Sequence, residues 1–248
     1  MRIDKDLCIE CGECVPYCTV GAIALGGEGF AAVDRDRCVE CGVCLRIAVC
    51  SQDAIIREEL EWPRVIRSHF SDPTAKHPST GIMGRGTMEM KTNDVTGRYV
   101  SGQVGFGVEL GRPGVSTCMA DVEKVTMAVA RVGVEWEVKG NPTTYLMSDQ
   151  ATGKLQEDVL KERVLSAIVE FKAPSSSLSE ILTALKEVSR EIDTVFSVSM
   201  ITKVEPDGSL PNVEAAESLG FKALPNPKIN VGLGRPLFDF SAKGGEVL

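Results

Sequence analysis

The feature that most constrains this chain of 248 residues is the spacing of its cysteines. Eight of the nine lie in two copies of one motif, which start at Ile3 and Val33, an offset of 30 residues. The first copy has the spacing C-x2-C-x2-C-x3-C, and the second, which carries two extra residues, has C-x2-C-x2-C-x5-C. In a reducing compartment this density indicates metal ligation rather than disulfides. The eight cysteines are Cys8, Cys11, Cys14, Cys18, Cys38, Cys41, Cys44 and Cys50.

The spacing also separates two kinds of metal site. Three thiolates from one tight loop can hold three corners of a four-iron cubane, and Gly12 and Gly42 leave backbone room beside it. The alternative is a pair of zinc sites, in which the C-x2-C pairs are usually separated by about a dozen or more residues. The sequence therefore favours iron–sulfur clusters over zinc.

On these motifs, residues 1–58 resemble a bacterial-type two-cluster ferredoxin. The resemblance implies two [4Fe-4S] clusters, and it implies that the fourth cysteine of each copy ligates the cluster of the other copy. One cluster would then be held by Cys8, Cys11, Cys14 and Cys50. The other would be held by Cys38, Cys41, Cys44 and Cys18.

Two departures from the ferredoxin pattern bear on these clusters. The proline that normally follows the fourth cysteine is replaced by Thr19 in the first copy and by Ser51 in the second. Either hydroxyl could hydrogen-bond a cluster sulfur or admit water, and both effects would move the reduction potential. Because the stretch before Cys50 is longer, we expect the cluster that uses Cys50 to be the more labile one.

The net charge of the chain limits the classes of partner that it can bind. A formal net charge of -8, with scattered lysines and arginines, argues against nucleic acid as a main partner. No apolar run approaches the roughly 20 residues of a membrane span, and the N-terminus has no signal-peptide pattern. We therefore expect a cytoplasmic protein without a membrane span that docks on a redox partner protein.

After a ferredoxin domain over residues 1–60, residues 61–98 have few periodic apolar positions and many turn formers, and they are predicted to be an ordered linker. Its Gly- and Thr-rich loop over residues 80–98 could hold an anion or a partner protein through backbone amides and basic side chains. The alternative is a long loop packed across two domains. The candidate basic residues are Arg85, Lys91 and Arg98.

Residues 99–204 alternate between strand and helix patterns. The predicted strands are 100–110, 134–138, 164–172 and 195–204. The predicted helices are 116–132, a short one over 154–163, and one that a capping box at Ser177 and Glu180 opens. The main elements give the order β-α-β-β-α-β, a split-βαβ sandwich with four antiparallel strands and two helices on one face. In topology alone this resembles the ACT-type domains, which bind small molecules.

The predicted fold class is therefore α+β, a two-cluster ferredoxin domain followed by a βαββαβ sandwich. Residues 205–248 are rich in Pro and Gly and are expected to wrap the second domain. Cys118 is expected to pack as a small apolar residue near a helix start. His69 and His77 are expected to be surface loop residues.

Three functions are compatible with this organisation. The first is an electron-transfer protein or subunit that relays single electrons through the clusters and docks through its C-terminal domain. The second is a metabolite- or redox-responsive regulator, in which the ACT-like domain binds a small-molecule ligand. The third is a subunit of an oxidoreductase whose active site is completed at an interface. The sequence shows no nucleophile with a matching base, so a stand-alone enzyme is disfavoured, and the sheet domain could also form a homo-oligomer.

Overall fold

The computed structural model describes residues 1–27, 29–83, 99–111, 115–138 and 140–224. Within them the chain is a mixture of helices and antiparallel sheets, so the α+β prediction is confirmed. Arg85, Lys91 and Arg98 lie outside the described residues, as do residues 225–248 of the predicted C-terminal wrap. In the described part of the chain, no helix is both long enough and apolar enough to span a membrane.

The N-terminal unit contains two antiparallel pairs of short strands. β1 (Arg2–Ile3) pairs with β4 (Ile55–Ile56), and β2 (Ile23–Leu25) pairs with β3 (Ala31–Val33). Because β1 opens the first copy of the motif and β4 closes the second, each copy completes the strands of the other. The cysteine repeat therefore folds as one unit.

Equivalent backbone hydrogen bonds close both halves of this unit. The amide of Asp4 donates to the carbonyl of Ala54 at 2.8 Å, and the amide of Asp34 donates to the carbonyl of Ala22 at 2.7 Å. The aspartates are 30 residues apart and the alanines 32, which are the two offsets of the repeat. The sequence repeat is therefore also a structural repeat.

The segments that follow the third cysteine differ between the copies. The first forms a 3-10 turn over Val15–Tyr17, whereas the second forms helix α1 (Val43–Arg46). The longer second segment continues through Ala48, whose φ is 49°. After Cys50 the backbone again matches the turn after Cys18. The insertion is thus absorbed between α1 and Cys50.

Helix α2 (Val65–Ser71) follows the N-terminal unit and was not predicted. Its Ile66 and Phe70 are buried in the hydrophobic core of the second unit. The hydroxyl of Ser71 accepts a hydrogen bond from the amide of Leu165 at 2.8 Å. The first part of the predicted linker is therefore a helix that packs against the unit that follows it.

The second unit is built on a four-stranded antiparallel sheet. The described strands of the whole unit, of which four form this sheet, are β5 (Gln103–Leu110), β6 (Thr117–Cys118), β7 (Glu135–Trp136), β8 (Met147–Asp149), β9 (Lys154–Leu155), β10 (Arg163–Val164), β11 (Ala167–Pro174) and β12 (Phe196–Ile201). Its helices are α3 (Met119–Ala130), α4 (Pro142–Tyr145), α5 (Leu178–Val188) and α6 (Pro211–Ser218). The main sheet has the order β12-β5-β11-β7, while β6 pairs with β10 and β8 pairs with β9.

One core joins this sheet to the helices. Alternate residues of β5 lie in this hydrophobic core, as the strand pattern predicted. They belong to the same cluster as the apolar stripes of α3 and α5. Each fully buried aliphatic side chain contributes on the order of 1.5–3 kcal/mol. The buried residues of β5 in this cluster are Val104, Phe106, Val108 and Leu110.

The opposite face of the main sheet is also buried, and it carries polar side chains. Glu109 and Glu170 are both buried there on neighbouring strands. The Asn141 amide donates to Oε2 of Glu170 at 2.7 Å, and it caps α4 by accepting from the amide of Thr143. Tyr99 is buried over Gly105 of β5. Polar groups thus line the side of the sheet that lies away from the hydrophobic core.

The short helix predicted over residues 154–163 is wrong. This segment forms β9, a 3-10 turn over Glu157–Val159, and β10. Leu155 and Val159 are buried at a spacing of four residues, which imitates one face of a helix. Pairing of β9 with β8 and of β10 with β6 overrides that local pattern.

The capping box is also wrong in its details. Ser177 precedes α5, but its side chain makes no capping hydrogen bond. Its backbone is already helical, with φ -87° and ψ -1°, because a 3-10 turn over Ser175–Ser177 leads into the helix. A capping serine needs an extended backbone to reach the free amides of the first turn.

The two histidines are not surface loop residues. His69 lies on α2, and His77, only 4% exposed, packs edge-on against Phe70 and His69 with ring centroids 5.4 Å apart in each pair. Burial, with a smaller effect of His69, lowers the pKa of His77 to about 4. His77 is therefore neutral at physiological pH and serves as a packed aromatic ring.

The close approach of Tyr99 to Gly105 gives a first prediction. A Cβ atom at Gly105 would overlap the ring of Tyr99, so Gly105→Ala should lower the free energy of unfolding by about 1–3 kcal/mol. The control is Gly107→Ala in the same strand. A Cβ atom added at Gly107 would have the Cβ atom of Ser199 as its nearest neighbour, at 3.9 Å. That variant should be neutral or stabilising by up to about 1 kcal/mol. Guanidinium denaturation followed by circular dichroism measures both, and equal effects would contradict the packing.

Candidate iron–sulfur site

The eight repeat cysteines line two cavities, and each cavity takes cysteines from both copies of the motif. The empty space between the lining residues, counted together with the solvent at its mouth, is about 340 Å³ in one cavity and about 370 Å³ in the other. The smaller is lined by Cys18, Cys38, Cys41 and Cys44. The larger is lined by Cys8, Cys11, Cys14 and Cys50. The structure thus brings together the same two sets of thiols that the ferredoxin resemblance implies.

Three of the four cysteines in each set lie on a short loop, which we call the first ligand loop (residues 8–14) and the second ligand loop (residues 38–44). Both loops turn through left-handed backbone at equivalent positions. Glycine favours this conformation, whereas for glutamate it carries strain. The left-handed residues are Glu10 (φ 63°), Gly12 (71°), Glu40 (54°) and Gly42 (68°). The two loops therefore have the same local fold.

Backbone amides point at one sulfur in each cavity. The amide of Ala22 donates to Sγ of Cys18 at 3.0 Å, and the amide of Ala54 donates to Sγ of Cys50 at 3.3 Å. Hydrogen bonds to a thiolate sulfur stabilise its negative charge, and around a cluster they raise the reduction potential. The repeat thus supplies each cavity with an equivalent donor.

The hydroxyls that replace the ferredoxin prolines behave differently. The hydroxyl of Thr19 lies 3.5 Å from Sγ of Cys41, within reach of a hydrogen bond to sulfur. The hydroxyl of Ser51 instead accepts a hydrogen bond from Nε2 of the Gln52 side chain at 3.4 Å. Among the described contacts, Thr19 thus reaches a cysteine sulfur and Ser51 does not, while a hydrogen bond from either hydroxyl to a cluster sulfur stays a prediction.

Burial raises the pKa of several of these thiols. For Cys14, burial is the largest cause, and Cys11, Cys50 and Cys8 add to it. For Cys44, burial and then Cys41, Cys38 and Cys18 raise the pKa to about 11. Burial likewise raises the pKa of Cys38. The thiols of Cys14, Cys38 and Cys44 are thus protonated at neutral pH without a metal, and metal binding must displace their protons.

Arg67 of α2 holds the second ligand loop from outside. Its guanidinium is 4% exposed and donates to the carbonyls of Arg35, Asp36 and Cys38 at 3.0, 3.0 and 2.8 Å. Its Nε also pairs with Glu162 of the second unit. One buried cation therefore joins a cysteine-bearing loop to the sheet unit.

Glu40 of the second ligand loop is buried in a second ion cluster. Its carboxylate accepts from the amino group of Met1 at 2.6 Å and from Nε and Nη2 of Arg64 at 3.0 and 2.6 Å. Burial alone would raise the pKa of Glu40, but these hydrogen bonds outweigh it and hold the pKa below its usual value. The second ligand loop is thus packed around a charged glutamate.

Asp72, at the end of α2, forms a third ion cluster beside Gly42. Its buried carboxylate pairs with Arg46 at 2.7 Å and Arg57 at 2.6 Å, and it accepts from the amide and hydroxyl of Thr74. Burial alone would raise the pKa of Asp72, but the hydrogen bonds from Thr74 and Arg57 lower it. A Cβ atom at Gly42 would overlap the Arg57 guanidinium, so the glycine makes room for this cluster.

The donor set can be compared with what a metal centre needs. Across the described ranges, no group of three or more His, Cys, Asp or Glu side chains is arranged to hold a metal ion. Each cysteine set instead surrounds a cavity. Four thiolates around one such space are the donors that an iron–sulfur cluster requires, so the residues present fit that group.

Comparison with known proteins identifies the first part of this unit. Residues 1–24 match the family described as 4Fe-4S binding domain. This N-terminal segment is ferredoxin-like and binds a 4Fe-4S cluster. The match supports an iron–sulfur electron-transfer role, and it includes the first ligand loop and Cys18. No curated protein and no solved structure matches the chain.

Sequence reasoning missed the basic residues that surround the second ligand loop. Arg67 binds backbone carbonyls, which have no sequence signature, and its partner Glu162 is 95 residues away. The one available signal is the spacing of Arg64 and Arg67, which places two cations on one face of a helical turn. Cys118, in contrast, lies next to the start of α3 as predicted, with its thiol donating to the carbonyl of Leu160 at 3.1 Å.

The ion cluster at Asp72 gives a second prediction. Asp72→Asn removes the charge between Arg46 and Arg57 and should lower the free energy of unfolding by about 1–3 kcal/mol at pH 7. Because the folded pKa of Asp72 lies below its ordinary value of 3.8, the stabilisation is present above pH 3.8 and is lost only as the pH falls further. Guanidinium denaturation under anaerobic conditions measures the change.

The matched control is Asp149→Asn. Asp149 accepts from the amide of Ala151 and the hydroxyl of Thr152, the same pattern that Thr74 gives Asp72, but it is exposed and pairs with neither arginine. The Asp149→Asn variant should leave the denaturation midpoint nearly unchanged. Equal midpoints for the two variants would show that the arginine pairs contribute nothing.

Proposed function

We propose that this protein is an electron-transfer protein, or the electron-transfer subunit of an oxidoreductase, that relays single electrons through two [4Fe-4S] clusters. The observation that carries the proposal is the pair of cavities, each lined by four cysteines. The 4Fe-4S binding domain over residues 1–24 supports the cofactor type. The second cluster and the electron-relay role belong to the proposal.

The ligand sets that we propose follow the cavities. One cluster takes Cys8, Cys11, Cys14 and Cys50, and the other takes Cys18, Cys38, Cys41 and Cys44. The repeat supports this exchange, because equivalent amides at Ala22 and Ala54 point at the two cysteines that cross over. The charged neighbours that raise the pKa of Cys14 and of Cys44 also come from within the same sets.

Complete thiolate ligation favours electron transfer over catalysis at iron. Four cysteines per cluster leave no iron with an open position for a substrate. When bound, such clusters supply one-electron chemistry. Cys11 is exposed, so one corner of its cavity reaches the protein surface, where electron exchange with a partner is fastest.

For the second unit we propose a docking role. The strand order β12-β5-β11-β7, with α3 and α5 sharing one core with the sheet, supports a split-βαβ sandwich over residues 99–204. Arg67 and the core residues of α2 tie this unit to the cluster-binding unit over residues 1–60. A rigid connection of this kind lets one surface position the clusters against a partner enzyme.

The proposed function predicts two reversible redox steps. Voltammetry of the anaerobically purified protein should show two one-electron steps, because each filled cluster exchanges one electron. Cys118→Ser is the control, since Cys118 lies outside both cavities, and it should keep both steps. Protein that contains iron but has no reversible step would contradict electron transfer.

A further inference from the structure

The two ligand loops have the same backbone but very different surroundings. Val39 and Glu40 of the second ligand loop are each 1% exposed. Their counterparts at the repeat offset of 30 are Ile9 and Glu10 of the first ligand loop. Ile9 is 60% exposed and Glu10 is also exposed. Among the described residues, one of two equivalent surfaces is therefore covered and the other is open.

The cover of the second ligand loop has a definite chemistry. Arg64, at the start of α2, binds Glu40 through two nitrogens, and it also donates to the carbonyl of Arg35 at 3.0 Å. Arg67 adds bonds to the carbonyls of Asp36 and Cys38. An arginine pair on a short helix with apolar neighbours thus fits this loop shape.

The first ligand loop presents the same groups in the same places. The side chain of Glu10 lies against Gly29, which precedes β3. In the second ligand loop, the side chain of Glu40 lies in the same way against Met1, which precedes β1. Among the described residues, no ion pair involves Glu10. The two arginines bind the carbonyls of Arg35, Asp36 and Cys38. At the repeat offset of 30 residues, the corresponding carbonyls are those of Lys5, Asp6 and Cys8.

The rim of the first ligand loop is apolar and acidic. Leu7 and Leu25 are exposed beside it, and a Cβ atom at Gly12 would contact the Leu25 side chain, so Leu25 lies over the loop. Exposed carboxylates at Asp6 and Glu13 extend the negative charge of Glu10. Lys5 is also exposed in this segment, but the carboxylates outnumber it. Exposed apolar side chains in mainly acidic surroundings are typical of a surface that meets a basic partner.

We propose that the first ligand loop is the docking surface for a redox partner protein that presents an arginine beside an apolar contact, as α2 does on the second ligand loop. The partner's arginine pairs with Glu10 while its apolar surface covers Ile9, Leu7 and Leu25. Electrons then pass through the cluster held by Cys8, Cys11, Cys14 and Cys50, whose Cys11 corner is exposed. This inference rests on the proposed electron-transfer function and adds the side of the molecule that a partner meets.

The test uses the full chain with its clusters and mitochondrial cytochrome c, a basic haem protein, as the probe. Binding is measured by isothermal titration calorimetry at low ionic strength with both proteins oxidised, so that no electron moves. Glu10→Lys in the loop and Leu7→Ser on its rim should each raise Kd at least about fivefold, because they remove the charge partner and an apolar contact. The rate at which the reduced protein reduces cytochrome c should fall by a similar factor.

The matched control for Glu10→Lys is Glu187→Lys, which makes the same charge reversal at an exposed carboxylate of α5. It should leave Kd within about twofold of the unaltered protein, since the net-charge effect alone is small. No binding by the unaltered protein, or equal binding by Glu10→Lys, Leu7→Ser and the control, would overturn the proposal. Self-association in sedimentation that Glu10→Lys abolishes would assign the surface to a second copy of the chain and would also overturn it.

Voltammetry of the same variants separates this inference from the proposed function. Both variants should keep the redox steps of the unaltered protein, because neither Glu10 nor Leu7 lines either cavity. Steps that persist together with unaltered binding would contradict only the docking surface. Absence of reversible steps in the unaltered protein would contradict the proposed function itself.

Discussion

The sharing of two cysteine-lined cavities between the copies of the repeat is the constraint on which the rest of the N-terminal unit depends. Each cavity needs one sulfur from the other copy, so neither ligand loop can complete its set alone. The strand pair β1-β4 and the equivalent bonds at Asp4 and Asp34 bring the distant segments together. Buried thiols with raised pKa values are a poor hydrophobic core by themselves, and bound clusters would stabilise them as thiolates.

The basic residues around α2 break the symmetry of the repeat. Arg64 pairs with Glu40 and Arg67 binds the carbonyl of Cys38. Ile66 and Phe70 anchor the same helix in the core of the second unit. One short helix thus joins the two units and conceals one of the ligand loops. In the part of the chain that the structure describes, the other loop keeps the same backbone and is exposed, and this difference is the basis of the docking surface that we propose.

The eight cysteines could be inferred from the sequence because spacing, offset and ligand chemistry restrict the same residues, while their division into two sets came from the resemblance to two-cluster ferredoxins. The regular strands and helices of the second unit were also predictable, since alternate positions of β5 and the stripe of α5 follow the periods of strand and helix. Helix α2 was missed because only Ile66 and Phe70 mark its apolar face. The helix over residues 154–163 was wrongly predicted because tertiary strand pairing overrode the spacing of Leu155 and Val159.

Long-range polar contacts were the least predictable part of the site. Arg67 acts on backbone carbonyls and on Glu162, and neither kind of contact leaves a local pattern. The difference in exposure between Ile9 and Val39 also depends on where α2 packs, and the two motif copies look equivalent in sequence. The difference between the two ligand loops could therefore be found only from the tertiary structure.

The most direct test of the central claim counts intact clusters in two paired variants by Mössbauer spectroscopy of iron-57-labelled protein. Cys14→Ala with Cys50→Ala removes two thiols from one cavity and should leave one intact four-iron cluster. Cys14→Ala with Cys18→Ala removes one thiol from each cavity and should leave none. The reverse result, with one cluster surviving only in the second variant, would show that each copy of the motif holds its own cluster and would contradict the shared cavities.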